Sequence, residues 1–120
     1  MNESRASRLS ELQRLLVERS LAPVCTPHPD PAVSSELRHG YRVEQYSVIL
    51  FSSRPNFLAP QEWRDEDVAK FTFVKAKGVW RLFCKFRDLK WHSYEPLPES
   101  PNFSVLVAEV RADPTGIFWR

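Results

Sequence analysis

Leu9, Leu12, Leu15 and Leu16 recur at helical spacing, with Arg8, Glu11, Arg14 and Glu18 between them and Arg14 and Glu18 an i,i+4 pair. The pattern predicts an amphipathic helix of about four turns within residues 1–22, whose leucine face needs a surface to bury against. Pro23 is expected to end it. Pro27, Pro29 and Pro31 then predict an extended linker over residues 23–40, with a short helix at 31–38 closed by His39-Gly40.

From Tyr41 onward the period becomes two. Residues 41–44 and 47–53 predict a hairpin turning at Gln45-Tyr46. A loop over 54–67 follows, from which Trp63 is expected to fold back onto the core. Residues 68–76 and 79–87 predict a second hairpin with a two-residue turn at Lys77-Gly78. That register sets Phe71 against Cys84, Phe73 against Leu82 and Ala69 against Phe86 on an apolar face. The other face pairs Lys70 with Lys85, Thr72 with Phe83 and Val74 with Arg81. A further turn at Asp88-Leu89 returns residues 90–94, placing Trp91 beside Phe86 on the apolar side and Tyr94 beside Phe83 on the basic side.

Phe103, Leu106, Val107 and Val110 follow the i, i+3, i+4, i+7 rule after Ser100-Pro101 and predict a helix, a buried strand being the alternative for so Val-rich a segment. Residues 113–116 form a turn, and 117–119 a short strand or a tail docking on the core. The expected architecture is α+β in one domain over 1–120: an N-terminal helix, a largely antiparallel five-stranded meander, and a C-terminal helix packed on the face of Phe71, Phe73, Leu82, Phe86 and Trp91.

Composition changes this picture in one respect. The overall charge is only +2, but the 15 aromatic residues all lie between Tyr41 and Trp119, and residues 70–90 carry seven Lys/Arg against the single acid Asp88. The sheet is therefore the part expected to act. No apolar run approaches the ~20 residues that cross a bilayer, no secretion-signal core is present, and Glu3, Glu11 and Glu18 argue against a transit peptide. With two cysteines, Cys25 and Cys84, a reducing cytoplasm is expected.

Several constellations have a chemical reading and a plainer one. Cys25 and His28, with Asp30 and His39, have the spacing of metal ligands but lack a second close pair, so no metal and no cofactor is expected. Cys84 and His92 are predicted to lie on opposite faces of the sheet, which separates a thiol from its base. Asp65, Glu66 and Asp67 could serve a small enzyme as acid and base, but adjacent acids at a loop end are ordinarily solvated. The basic face is the strongest candidate: Lys70, Arg81, Lys85, Arg87 and His92 surround Phe83 and Tyr94. Such a surface attracts phosphates and stacks on bases. Its plainer reading is a strip covered by the N-terminal helix.

The chain resembles domain-of-unknown-function family 3024 in Arg54-Pro55 followed by Trp63, then Val68-Ala69-Lys70-Phe71, Trp80-Arg81-Leu82-Phe83, Lys90-Trp91-His92-Ser93-Tyr94 and residues 113–119. The similarity covers roughly Gly40 to the C-terminus. The resemblance implies a small bacterial α+β protein without an assigned activity, so it transfers no catalytic residue. The functional expectation is a non-enzymatic interaction module with a protein partner. The alternative is RNA or single-stranded DNA binding, in ribonuclease-like fashion, through the basic aromatic face.

Overall fold

The computed structural model describes residues 7–119, so the start of the predicted N-terminal segment lies outside the described residues. Helix α1 spans Glu11–Cys25. Ser10 starts it through a capping box: its hydroxyl accepts the Gln13 N–H at 3.1 Å while the Gln13 side chain accepts the Ser10 N–H at 2.9 Å. Contrary to expectation, Pro23 does not end the helix. It sits in the last turn, where the ring removes a single hydrogen bond, and the Thr26 N–H closes the helix on the Ala22 carbonyl at 2.9 Å. A one-turn helix, α2 (Pro31–Ser34), follows behind the Asp30 cap.

Six strands build the sheet: β1 (Arg38–Glu44), β2 (Ser47–Pro55), β3 (Trp63–Val74), β4 (Val79–Lys85), β5 (Trp91–Ser93) and β6 (Glu99–Ser100). The first five form an antiparallel meander, and β6 pairs with β4 beyond the end of β5. His39-Gly40 is part of β1 and not a helix cap. Gly40 leaves room there for the Phe51 ring, which lies across it: a Cβ would come within 2.8 Å of Phe51 Cζ and the ring would have to shift.

Two turns are longer than predicted. Residues 75–78 all belong to the β3–β4 turn, with Gly78 at φ 64, and the pairing becomes Ala69 with Cys84, Phe71 with Leu82 and Phe73 with Trp80. This is a shift of two residues, which moves every pair but leaves each side chain on its predicted face. The β4–β5 turn shifts the register by one residue instead. Phe86 and Lys90 flank three loop residues, Leu89 is left-handed at φ 62, and the Asp88 carboxylate accepts the Lys90 N–H at 2.9 Å. Lys85 therefore pairs with Trp91 and Cys84 with His92. All of β5 is turned over relative to the prediction.

A β-bulge is the third irregularity. Leu50 pairs with Ala69 but Phe51 pairs with Asp67, so Val68 is an extra residue in β3. Val68 and Ala69 both join the core, and the residues before them exchange faces.

Helix α3 (Phe103–Ala112) is the helix expected for this segment, not the alternative strand, and it buries Phe103, Leu106, Val107 and Val110. Phe103 packs its ring against Phe71 and Trp80 at 4.9 and 4.8 Å between centroids. Beyond it, Asp113 at φ 44 accepts the N–H groups of Phe118 (3.1 Å) and Trp119 (3.0 Å), docking the tail so that Phe118 is buried. Val17 and Leu21 of α1 enter the same core as the α3 residues and as Val48, Leu50, Phe71 and Leu82 of the sheet. Both helices therefore lie on one face. Among the described residues, no helix is long and apolar enough to cross a membrane.

Candidate functional site

Because α1 joins α3 on the core side, the expected cover of the basic face is absent: among the described residues, no helix lies over it. Strand alternation, with the bulge, sends Arg38, Arg42, Phe51, Trp63, Asp67, Lys70, Phe83, Lys85 and Trp91 to this open face. Ile49 lies among them and is only 5% exposed, shielded by its longer neighbours. Cations sit against the rings. The Arg38 guanidinium is 4.2 Å from the centre of the Trp63 ring, Lys85 Nζ is 5.0 Å from that of Trp91, and Lys70 Nζ lies 5.8 Å from Phe83 and 6.0 Å from Trp91.

Carboxylates neutralise most of the remaining charge. Asp67 accepts two hydrogen bonds from Arg42, at 3.0 and 3.2 Å, and stands 3.6 Å from Lys85 Nζ. Arg42 also donates to Glu44 at 2.7 Å, and Glu99 pairs with both Arg81 (3.6 Å) and Lys77 (3.7 Å). Burial pushes the Asp67 carboxyl upward, but the Arg42 hydrogen bonds and charge, with Lys85, more than offset it and hold the group below the usual carboxylate range. The Arg42 guanidinium is correspondingly locked in its charged form by Asp67 and Glu44.

The residues predicted for the site separate into two groups. Lys70, Arg81, Phe83 and Lys85 do share the open face. Arg87 lies exposed in the β4–β5 turn. His92 and Tyr94 do not belong to the basic face, because the three-residue loop turns β5 over. The Tyr94 ring is buried against Phe118 (4.9 Å), and its hydroxyl donates to Glu109 at 2.7 Å, burial pushing the phenol upward. His92 stacks on Phe86 at 4.0 Å and meets Asp88 through Nε2 at 2.8 Å. Conversely Trp63 and Trp91, expected in the core, stand on the open face, and Phe86 is 44% exposed. The adjacent apolar pair Val68-Ala69, breaking the alternation, was the available signal for the bulge. Asp88 two residues before Lys90, with a side chain suited to cap the turn, was the signal for the longer loop.

The other constellations gain no convergence. His28 accepts the Asp30 N–H at 3.0 Å within its own loop, while His39 packs edge-on to Trp119, and among the described residues no three His, Cys, Asp or Glu come together. Burial pushes the Cys25 thiol upward, away from the reactive thiolate. Asp65, Glu66 and Asp67 are in strand β3 rather than a loop, and alternate between faces. Cys84 and His92 are cross-strand neighbours after all, but Cys84 is buried and the imidazole engages Phe86 and Asp88.

The sequence pattern of the family described as "Domain of unknown function (DUF3024)" matches residues 9–120, nearly the whole chain, and the protein belongs to that family. The match extends the resemblance across α1. No curated protein and no solved structure matches the chain.

Proposed function

We propose that this DUF3024 member is a non-enzymatic protein-interaction module that engages its partner through the helix-free face of the sheet. The observation that carries the reading is a face that no helix among the described residues covers, on which Trp63, Phe83 and Trp91 stand half-buried with cations against their rings. Rings fixed in this way offer contact area at little further entropy cost, as the anchors of protein interfaces do. The surrounding charges are of both signs, and those of Arg42, Arg81 and Lys85 are paired with carboxylates, which suits a protein rim. A polyphosphate would have to compete with Glu44, Asp67 and Glu99 for the same cations. Asp67 is held by Arg42 and His92 lies across the sheet, so among the described residues the face has no paired acid and base for cleavage.

The test is affinity capture from host extract with the intact chain, Phe83→Ser and Trp91→Ser, each checked by circular dichroism. A stoichiometric protein partner lost with both variants supports the reading, and a partner retained by both sinks it. One observation favours single-stranded nucleic acid instead: Lys70 touches two rings but makes no ion pair among the described residues. Binding of a labelled oligouridine that collapses with added salt and with Lys70→Ala would move the assignment to nucleic acid.

A further inference from the structure

Of the leucines that define α1 in the sequence, Leu9 is buried just ahead of the helix, but the three within it are not its buried face. Val17 and Leu21 are buried, whereas Leu12, Leu15 and Leu16 are 77%, 44% and 42% exposed. With Arg19 they follow i, i+3, i+4, i+7, so they form one stripe along two turns of helix, about 10 Å. Beside the stripe stand Tyr46, from the β1–β2 turn, and Phe73 of β3, and together they enclose a groove of about 610 Å³. Exposed leucines in a contiguous stripe are uncommon on a surface that meets only water.

Charge identifies the occupant. The groove is bordered by Arg8, Arg19 and Lys75, and among the described residues no carboxylate lines it. The acids of the same helix, Glu11 and Glu18, lie on its other flank with Arg14, Tyr41 and Val43. A second copy of this chain would set Arg8, Arg19 and Lys75 against themselves. An apolar trough between a helix and a sheet rim, about two turns long with cations at its edges, matches a helix carrying apolar residues at i, i+3 or i+4, and i+7 and acids on both flanks.

We infer that this groove docks an acidic amphipathic helix of a partner protein. The site is separate from the open sheet face, on the helical side of the molecule, and neither assignment depends on the other. The test is a nitrogen-15 NMR titration of the full chain with a designed 16-residue helical peptide bearing leucines on one face and glutamates on the flanks. Its control is the same peptide with lysine for each glutamate. The expected result is shift changes confined to residues 8–19, 46 and 73–75, with about tenfold tighter binding of the acidic peptide at low salt. Leu12→Ser with Leu16→Ser, at exposed positions, should weaken binding about tenfold without altering the spectrum elsewhere. Arg19→Glu with Lys75→Glu should invert the preference between the two peptides. Equal affinity for both peptides, shifts on the open face instead, or no binding at millimolar peptide would overturn the proposal. So would a dimer in sedimentation equilibrium that the leucine variants dissociate, which would assign the groove to a second copy.

Discussion

Replacing Asp67 by Asn removes a single charge from the centre of the open face while keeping a side chain of the same shape. In the native protein this carboxylate is 19% exposed and receives two hydrogen bonds from Arg42, itself 40% exposed, with Lys85 alongside at 3.6 Å. Two unit charges about 4 Å apart are worth ~4 kcal/mol at the effective dielectric of a protein surface. Solvent around Arg42 and the desolvation of Asp67 reduce that gross figure. Exposed pairs return ~0.2–1 kcal/mol and broken buried pairs cost ~3–5 kcal/mol. For this partly buried geometry the expected loss is therefore about 1.5–2 kcal/mol at neutral pH, a fall in melting temperature of roughly 6–8 °C in a domain of this size.

The pH dependence gives the sharper readout. The Asp67 carboxyl is held below its usual value in the folded state. Its stabilisation is thus present above the unfolded value near ~4 and is lost as the pH falls through the folded value. Urea unfolding of the wild-type protein and of Asp67→Asn should differ by the full amount at pH 7 and converge as the pH falls well below about 4. A difference that stays constant across that range, or one below about 0.3 kcal/mol at pH 7, refutes the argument that the ion pairs hold this face together.

Three further outcomes are expected. Leu21→Ala, at a site with no exposure, should cost about 3–5 kcal/mol in chemical denaturation, whereas Leu12→Ala, 77% exposed, should stay within about 0.5 kcal/mol. Tyr94→Phe removes the hydroxyl that donates to Glu109 and should cost about 1 kcal/mol. Because the folded phenol is raised by burial, its contribution is complete below about pH 10 and fades as the pH rises further, so the variant should flatten the alkaline decline in melting temperature. Gly40→Ala places a methyl within 2.8 Å of Phe51 Cζ and should cost about 1–3 kcal/mol by thermal melting while displacing that ring on the open face.

The elements of the fold were legible because their patterns are local. The period-two strands, the Gln45-Tyr46 turn and the 3.6-residue period of Phe103, Leu106, Val107 and Val110 each needed only near neighbours. The two-residue error at the β3–β4 turn did no harm, because a shift by an even number preserves faces. Errors of one residue were decisive: the loop of Arg87, Asp88 and Leu89 turned His92 and Tyr94 toward the core side and brought Trp91 out. The left-handed residue of that loop is a leucine, for which composition offers no warning. The face of α1 was misread for a different reason. Leucine spacing shows which residues share a face, but burial is assigned by the partner, and Val17 and Leu21, on another stripe, meet α3 and the sheet.

These small irregularities together create the open face. Without the extra residue at Val68, strand alternation would send Asp67 and Trp63 toward the helices, where a carboxylate would lack Arg42 and Lys85. The bulge carries both across the sheet, and the β4–β5 loop does the same for Trp91. Two independent backbone devices thus deliver two tryptophans and an acid to the face that the helices leave uncovered. A sheet serving only to bury a core gains nothing from moving indoles out of it, since a buried tryptophan contributes more than a half-exposed one. Arg38 and Lys85 against the two rings return part of that loss, and in the interaction module proposed above the partner's contacts with this face supply the rest.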